Sequence, residues 1–203
     1  MQHERAFLEG LTAILPERAR VVNIGSYSGA STIAILRGAR DIQDFHLWSI
    51  DIEPCPKEME YAKDCGLADP QRFTQILGDS KVIGKGWLAP VHLVFVDGDH
   101  SYEGCKGDIE AWESHIVKDG YLVFHDYEGP LDVGSVTQTV NEWFEKAREQ
   151  GWIKVAKVDI SVAFQRDGLD PGEFTVSRAS RLVSHWLALY PDTITGKFMR
   201  GEE

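Results

Sequence analysis

Two acids and a histidine follow directly on an apolar segment near the middle of the chain. Residues 93–96 read as a buried strand, and Asp97, Asp99 and His100 come immediately after it. Neighbouring carboxylates repel each other and destabilise a fold unless a cation, hydrogen bonds or a shared proton compensates. The imidazole of His100 titrates near neutral pH and suits proton transfer. The segment therefore indicates a site, while a solvated acidic turn that caps the next helix is the alternative.

His125 and Asp126 form a second group of this kind, directly after the apolar segment "GYLVF". Carboxylate oxygens and imidazole nitrogens are suitable ligands for a divalent cation. If the two apolar segments are neighbouring strands, Asp97, His125 and Asp126 converge at one edge of the sheet. Together these three residues could hold a metal ion.

Three further apolar segments end in small or polar residues that suit a nucleoside ligand. After "VVNI", Gly25 and Gly29 let the backbone turn tightly and approach a ligand at the start of a helix. "HLWSI" ends in Asp51, and an acid at that position can accept both hydroxyl groups of a ribose. "FTQIL" is followed by Asp79 and Ser80, either of which can hydrogen-bond an adenine edge. Ordinary turns are the alternative at the first and third of these segments.

Helical segments of about ten residues separate the apolar segments, which is typical of βαβ units and a parallel sheet. One of these expected helices is "YEGCKGDIEAWESHIV". The stretch "WIKVAKVDISVAFQRD" contains two strand-like runs without a helix between them, so we expect the last strand to be antiparallel. We predict an α/β fold with a Rossmann-like, doubly wound, mostly parallel seven-stranded sheet, helices on both faces and an antiparallel last strand. In such a sheet, ligands bind beyond the carboxyl ends of the strands, where the candidate residues lie.

The length of 203 residues suits one domain with a single sizeable core. We expect a single domain over residues 1–203. It would contain an N-terminal helix in residues 1–19, the core sheet in residues 20–166, and a C-terminal helix and tail in residues 174–203.

Helical spacing also divides core positions from solvent positions. Trp112, Trp143 and Phe144 have the spacing of core residues. Asp108 and Glu110 are expected on the solvated face of a helix. The stretch "YEGPLDVGSV", which glycine and proline interrupt, is a candidate substrate-facing loop.

Composition and charge narrow the classes of partner. The net charge of −11 disfavours nucleic acid, because binding a polyanion depends on lysine and arginine contacts to phosphates. No run of 18 apolar residues occurs, so we expect no membrane-spanning helix. The N-terminal "MQHERAFLEG" lacks the basic and apolar regions of a signal peptide. The 3 cysteines are odd in number and lack C-x-x-C spacing, which indicates reduced thiols and a cytoplasmic protein.

Taken together, these motifs resemble those of the class I S-adenosylmethionine (SAM) dependent methyltransferases. "VVNIGSYSGAST" resembles the loop under the methionine part of SAM, "LWSIDIEP" the ribose motif and "ILGDS" the adenine-side motif. The block from "VFVDGDHSYEG" to "DGYLVFHDY" resembles the small-molecule O-methyltransferases grouped with macrocin and other sugar O-methyltransferases. It is also similar to the caffeoyl-CoA and catechol O-methyltransferases.

The resemblance implies that SAM binds along the carboxyl edge of the sheet. The residues that it places against SAM are Gly25, Ser26, Tyr27, Gly29, Ser31, Asp51, Ile52, Gly78, Asp79, Ser80 and Asp97. Asn23 stands where this family often has an acid early in the first motif. That difference weakens polar contacts to the SAM amine or shifts them to water.

The resemblance also implies a metal site and a base. Enzymes of this kind often hold Mg²⁺ with an acid after the fourth strand, where Asp97 lies, and an acid–amide pair after the fifth. Here His125 and Asp126 occupy the second position, and a histidine ligand favours Mn²⁺, Zn²⁺ or another transition ion. A site without metal is the alternative. His100 lies where the caffeoyl-CoA type carries a lysine proposed as base, so His100, or Asp99, is expected to take the acceptor's proton.

The expected function is methyl transfer from SAM to a hydroxyl oxygen of a small molecule (a sugar, a polyol or a catechol-like compound). The expected catalytic residues are Asp97, Asp99 and His100. The resemblance leaves open whether Mg²⁺ or Mn²⁺ is a second cofactor beside SAM. One alternative is an NAD-dependent oxidoreductase, against which Tyr27 counts, because it stands where the second glycine of G-x-G-x-x-G belongs. The other is a SAM- or nucleoside-binding protein without catalysis. We expect neither nucleic acid nor a membrane as a partner. The sequence does not decide whether the protein forms a homodimer.

Overall fold

Seven strands form one sheet in the part of the chain that the computed structural model describes, residues 2–130 and 135–166. They are β1 (Arg20–Ile24), β2 (His46–Asp51), β3 (Phe73–Leu77), β4 (Val91–Val96), β5 (Ile116–Phe124), β6 (Trp152–Val158) and β7 (Ser161–Arg166). Their order across the sheet is β3-β2-β1-β4-β5-β7-β6. Neighbouring strands are parallel except that β7 is antiparallel to both β5 and β6. The predicted α/β fold, with a mostly parallel sheet and an antiparallel last strand, is confirmed.

Helices cover both faces of this sheet. They are α1 (Gln2–Ala13), α2 (Ala30–Gly38), α3 (Pro56–Asp64), α4 (Ser80–Lys85), α5 (Tyr102–Trp112) and α6 (Ser135–Ala147). One core cluster joins Leu11 of α1 to Leu93 of β4, and the other joins Trp112 of α5 and Val140 of α6 to Val94. Leu93 and Val94 are consecutive, so β4 is buried on both faces, which explains its continuous apolar sequence.

The chain between β3 and β4 forms a helix that the sequence pattern does not predict. Helix α4 has 6 residues, too few for a periodic apolar face to appear in the sequence. Asp79 is its N-cap, and its side chain accepts a hydrogen bond from the backbone N–H of Lys81 at 2.8 Å. The "GDS" motif is therefore the start of a helix at the edge of the sheet.

Two predictions about the segment after β4 are wrong. The apolar spacing predicts a helix through Ile116, but α5 ends at Trp112, and Ile116 begins β5 after a single 3₁₀ turn. Asp108 is expected in solvent but is 1% exposed, because α4 packs against α5 and covers it. Glu110 is exposed, as predicted. Trp112 lies in the core, and Trp143 and Phe144 pack against the same cluster while partly buried.

Some predictions lie outside the described residues. The expected C-terminal helix in residues 174–203 is among them, and so are residues 131–134 of the candidate substrate-facing loop. The division into a single domain stays a prediction. None of the helices in the described ranges has the length and apolar character needed to span a bilayer.

Candidate active site at the carboxyl edge of the sheet

Backbone hydrogen bonds hold the ends of four strands at one edge of the sheet. Beyond β4, the N–H of Asp97 donates to the carbonyl of Ile24 at 2.9 Å. Beyond β5, the N–H of His125 donates to the carbonyl of Val96 at 3.1 Å. The loop after β1 is bonded to the end of β2 in the same way. The side chains that follow these strands are therefore neighbours, although they are far apart in sequence.

The loop after β1 lies in direct contact with the loop after β4. Gly25 has a φ of +80°, and a Cβ at this position would lie only 2.0 Å from the backbone oxygen of Asp97. Gly29 has a φ of +87°, and its Cβ would lie 2.8 Å from the Cα of Glu58. Both positions therefore require glycine. Tyr27, between them, also adopts a left-handed backbone, with a φ of +44°.

Asp51 at the end of β2 fixes this glycine loop. Its Oδ2 accepts hydrogen bonds from the backbone N–H groups of Ser26 at 2.9 Å and Tyr27 at 3.1 Å, and its Oδ1 accepts from Glu53 at 3.0 Å. Burial acts to raise the pKa of Asp51, but these hydrogen bonds outweigh it, and its pKa lies below the usual value. Asp51 is therefore an ionised acceptor at the rim of the site.

Four residues after β4 and β5 form what we call the strand-end cluster: Asp97, His100, His125 and Asp126. The Oδ1 of Asp97 lies 3.1 Å from Nδ1 of His125 and 3.4 Å from Nε2 of His100. The Oδ2 of Asp126 lies 3.2 Å from Nδ1 of His125 and 3.3 Å from Nδ1 of His100. Each carboxylate thus faces both imidazoles.

The contacts within the strand-end cluster favour the charged forms of Asp97, His100 and His125. Burial opposes ionisation of Asp97, but contacts with His100 and His125 hold its pKa below the usual value. Burial likewise opposes protonation of His125, but Asp97 and the neighbouring charges raise its pKa to about 9. The contact with Asp97 raises the pKa of His100 as well. Opposite charges at short range therefore outweigh burial in this cluster.

The sequence gives no indication of a fifth participant, Glu4 of α1. Its Oε1 lies 3.3 Å from Nε2 of His125, on the opposite side of the ring from the other two acids. Asp99, by contrast, is not in the cluster. It lies at the start of α5, where its Oδ1 accepts a hydrogen bond from the N–H of Ser101 at 2.9 Å.

The donor groups of the strand-end cluster fit a divalent metal ion. Asp97, His100 and Asp126 each offer one ligand atom, and these atoms lie within 4.8 Å of one another. His125, the histidine predicted as a ligand, places Nδ1 beside the same two carboxylates. Two carboxylates and an imidazole suit Mn²⁺ or Zn²⁺ better than Mg²⁺, which prefers oxygen ligands.

Two adjoining cavities open at the strand-end cluster, one of about 740 Å³ and one of about 370 Å³. Both volumes are typical of ligand-binding pockets. Tyr27, Asp97 and His125 line both cavities. The larger cavity is also lined by Gly25, Asp51, Ile52, Gly78, Asp79 and Ser80, and the smaller by Ser26 and Ser31. Among the residues predicted to contact SAM, Gly29 alone lines neither of these two cavities.

Asp108 is a buried acid at the wall of the larger cavity that the sequence analysis places wrongly. It accepts a hydrogen bond from the hydroxyl of Ser80. Burial raises its pKa to about 6, although the bond from Ser80 acts in the opposite direction. A short helix packed over α5 produces this burial, and the sequence shows no sign of that helix.

A buried polar network lies beneath the glycine loop. The Nδ2 of Asn23 donates hydrogen bonds to the hydroxyls of Ser31 at 3.1 Å and Thr32 at 3.0 Å. The hydroxyl of Ser49 donates to the buried carboxylate of Glu58 at 2.6 Å. Asn23 therefore supports the loop from below, and Glu58 supplies the carboxylate of this network.

A family model described as "Methyltransferase domain" matches residues 22–127, which include the whole strand-end cluster. The chain belongs to this family of methyltransferases. One curated relative is the uncharacterised protein R132 of Acanthamoeba polyphaga mimivirus, 37% identical over 38 residues. That match covers 19% of this methyltransferase and only 17% of the relative.

Solved structures share the fold of this methyltransferase at low sequence identity. The O-methyltransferase TomG from Streptomyces achromogenes, in complex with SAM, has a TM-score of 0.65 and 17% identity, with 83% of this chain and 81% of that chain covered. An O-methyltransferase from Bacillus cereus, in complex with S-adenosylhomocysteine (SAH), has a TM-score of 0.63 and 16% identity, with 81% of each chain covered. An rRNA methylase from Streptococcus thermophilus has a TM-score of 0.60 and 12% identity, with 81% and 95% covered.

Proposed function

We propose that this methyltransferase transfers the methyl group of SAM to a hydroxyl oxygen of a small molecule, with a divalent metal ion at the strand-end cluster. The observation that carries the proposal is the position of this cluster at the junction of two cavities. A donor that extends through both cavities passes directly beside Asp97 and His125. An acceptor bound in front of the cluster would then lie close to the methyl group.

The polar groups around the cavities support an extended donor. Asp51 offers ionised oxygens at the larger cavity, where the ribose is expected, and Asp79 and Ser80 line the same cavity, where the adenine is expected. Ser26 and Ser31 line the smaller cavity, where the methionine part is expected. The bound SAM and SAH of TomG and the Bacillus cereus enzyme agree with this choice of donor.

A side chain of this protein accepts the proton that the acceptor hydroxyl loses. Methyl transfer is a displacement at a sulfonium, so the acceptor oxygen must lie in line with the methyl carbon. His100 in its neutral form accepts the proton of the acceptor hydroxyl as the new carbon–oxygen bond forms, and the bond between the methyl carbon and sulfur breaks to leave neutral SAH. Asp97 and Asp126 face the two ring nitrogens of His100 and stabilise the protonated ring.

A divalent metal ion at this position lowers the pKa of the acceptor hydroxyl when it is bound. Asp97, His125 and Asp126 would hold the ion. His100 would not coordinate it and would accept the proton of the acceptor hydroxyl. The metal is a proposal from the donor groups: Nδ1 of His125 lies 3.1 Å from the carboxylate of Asp97 and 3.2 Å from that of Asp126, and two carboxylates with an imidazole suit a transition ion.

A small acceptor is favoured over RNA, although an rRNA methylase shares the fold. The net charge is −11, and a polyanion would meet repulsion from the acids at the larger cavity. These acids are Asp51, Asp79, Asp97, Asp99, Asp108 and Asp126. Membership of the methyltransferase family also favours methyl transfer over the hydride transfer of the NAD-dependent alternative.

Calorimetric titration with SAH, SAM and NAD, each with and without Mn²⁺ or Mg²⁺, tests the donor. We expect micromolar binding of SAH and SAM and no binding of NAD. Absence of SAH and SAM binding under every metal condition would contradict the proposal. Transfer from methyl-labelled SAM to a panel of catechols, sugars and ribosomal RNA then tests the acceptor. Labelling of RNA alone would exclude the small-molecule acceptor, and binding without transfer to any acceptor would favour the non-catalytic alternative.

A further inference from the structure

Glu4 is a buried acid in the first turn of α1, at the wall of the smaller cavity. Burial of a carboxylate destabilises a fold unless charged or hydrogen-bonding partners compensate. The hydroxyl of Ser161 donates to Oε1 of Glu4 at 3.4 Å, and the same oxygen lies 3.3 Å from Nε2 of His125. The partners of this carboxylate therefore include the first residue of β7 and a member of the strand-end cluster.

The packing of α1 does not itself require an acid at this position. Phe7, Leu8 and Leu11 bury the helix against the sheet through apolar contacts. His3 also pairs with Asp159 at 3.4 Å and ties the same end of the helix to the turn before β7. Other residues thus hold the helix against the sheet. The contact of the Glu4 carboxylate with His125 accounts for an acid at position 4.

Contacts on both sides of the ring define the orientation of His125. Nε2 faces Glu4 on one side, and Nδ1 faces Asp97 at 3.1 Å and Asp126 at 3.2 Å on the other. A rotation or flip of the ring would break contacts on both sides. The carboxylate of Glu4 is thus placed to keep Nδ1 directed into the cluster.

We propose that Glu4 is a positioning residue that orients the imidazole of His125 in the active site. This role rests on the proposed function, in which Nδ1 of His125 serves the strand-end cluster. A carboxylate behind a histidine ligand fixes the ring and increases its basicity, and its loss typically weakens metal binding 10- to 100-fold. Helix α1 is then part of the catalytic site as well as part of the core.

Glu4→Ala and Glu4→Gln test the proposal in the full chain, with Glu9→Ala as the control acid on the same helix. One measurement is the calorimetric affinity for Mn²⁺. The other is the ¹⁵N spectrum of the His125 ring, assigned with a His125→Gln variant, which reports which ring nitrogen carries hydrogen. SAH affinity is measured in parallel.

For Glu4→Ala we expect Mn²⁺ affinity to fall about 10- to 100-fold and the protonation pattern of the His125 ring to change. Glu4→Gln, which keeps an acceptor oxygen, should recover part of both, and Glu9→Ala should match the wild type. Wild-type Mn²⁺ affinity with an unchanged ring spectrum in Glu4→Ala would overturn the proposal, as would an equal loss in Glu9→Ala. If the wild type binds no Mn²⁺, the ring spectrum alone decides. Failure of the wild type to bind SAH would contradict the proposed function and leave the spectrum as a valid test of Glu4.

Discussion

Nδ1 of His125 lies 3.1 Å from Oδ1 of Asp97, and this contact joins the end of β5 to the end of β4. The pKa of Asp97 is lowered and that of His125 is raised to about 9, so without a metal ion both groups are charged at neutral pH, and a metal ion at Nδ1 would displace the proton of His125. A carboxylate and an imidazole that stabilise each other at a cavity wall are typical of a catalytic site.

Asp97→Ala should abolish methyl transfer and leave SAH binding largely intact. The substitution removes the carboxylate that faces both His100 and His125. His100 then loses a partner that stabilises its protonated ring, and the proposed metal site loses one of its ligands. We expect a loss of at least about 100-fold in turnover, the usual scale for general acid–base catalysis, and a change of no more than a few-fold in SAH affinity. Asp41→Ala, at an exposed carboxylate, is the control. Normal turnover by Asp97→Ala would refute the assignment.

Asp51→Asn should weaken SAH binding. An amide NH₂ cannot accept a hydrogen bond, so at least one of the contacts to Ser26, Tyr27 and Glu53 is lost and the glycine loop loosens. Leaving a partly buried donor without its acceptor costs about 1–3 kcal/mol, which corresponds to a roughly 5- to 150-fold loss of affinity. Calorimetry with SAH measures this loss, and Asp41→Asn is the control. Unchanged affinity would show that Asp51 does not order the donor site.

Gly25→Ala should destabilise the fold more than Gly66→Ala does. Both glycines have positive φ, +80° and +69°, so a side chain costs about 1–2 kcal/mol at either position. At Gly66 a Cβ would meet nothing within 4 Å, whereas at Gly25 it would meet the backbone of Asp97. Chemical denaturation of both variants separates the cost of backbone conformation from the cost of the clash. Equal losses of stability would mean that the loops after β1 and β4 are not in contact.

Asp108→Asn should stabilise the protein above pH 6 and have little effect near pH 4. The pKa of Asp108 is about 6 in the fold against 3.8 for the unperturbed group, so the folded state binds the proton more tightly. The contribution of Asp108 to wild-type stability therefore falls as pH rises from about 4 to about 6, by at most about 3 kcal/mol, since one pKa unit is about 1.4 kcal/mol. Thermal unfolding from pH 4 to pH 8 measures this, with Glu110→Gln on the same helix as control. A gain that is independent of pH would show that Asp108 titrates normally.

The strand ends could be predicted from sequence because each depends on local pattern alone. Asp51, Asp97 and Asp126 each follow an apolar run, and the topology of a parallel sheet then brings their loops to one edge. The contact between Asp97 and His125 follows from the pairing of β4 with β5, which is the expected order for a doubly wound sheet.

Glu4 and Asp108 could not be predicted in this way. Glu4 meets His125 only because α1 crosses the edge of the sheet, and the periodicity of a helix does not reveal where its first turn will lie. The burial of Asp108 depends on α4, a helix too short to show a period. Both are acids, and the general expectation that acids are exposed fails at sites where charges are paired or hydrogen-bonded.

The hydrogen bond between Ser161 and Glu4 joins residues that are 157 positions apart. During synthesis Glu4 leaves the ribosome before Ser161, which follows only after α6 and β6 have been made. Non-local contacts of this kind form late and make folding slower than local ones do. The nascent methyltransferase therefore completes the contacts of Glu4 only when β7 has emerged and inserted between β5 and β6. A chain that ends before β7 contains all the sequence motifs of the site but lacks the hydrogen bond from Ser161 to Glu4.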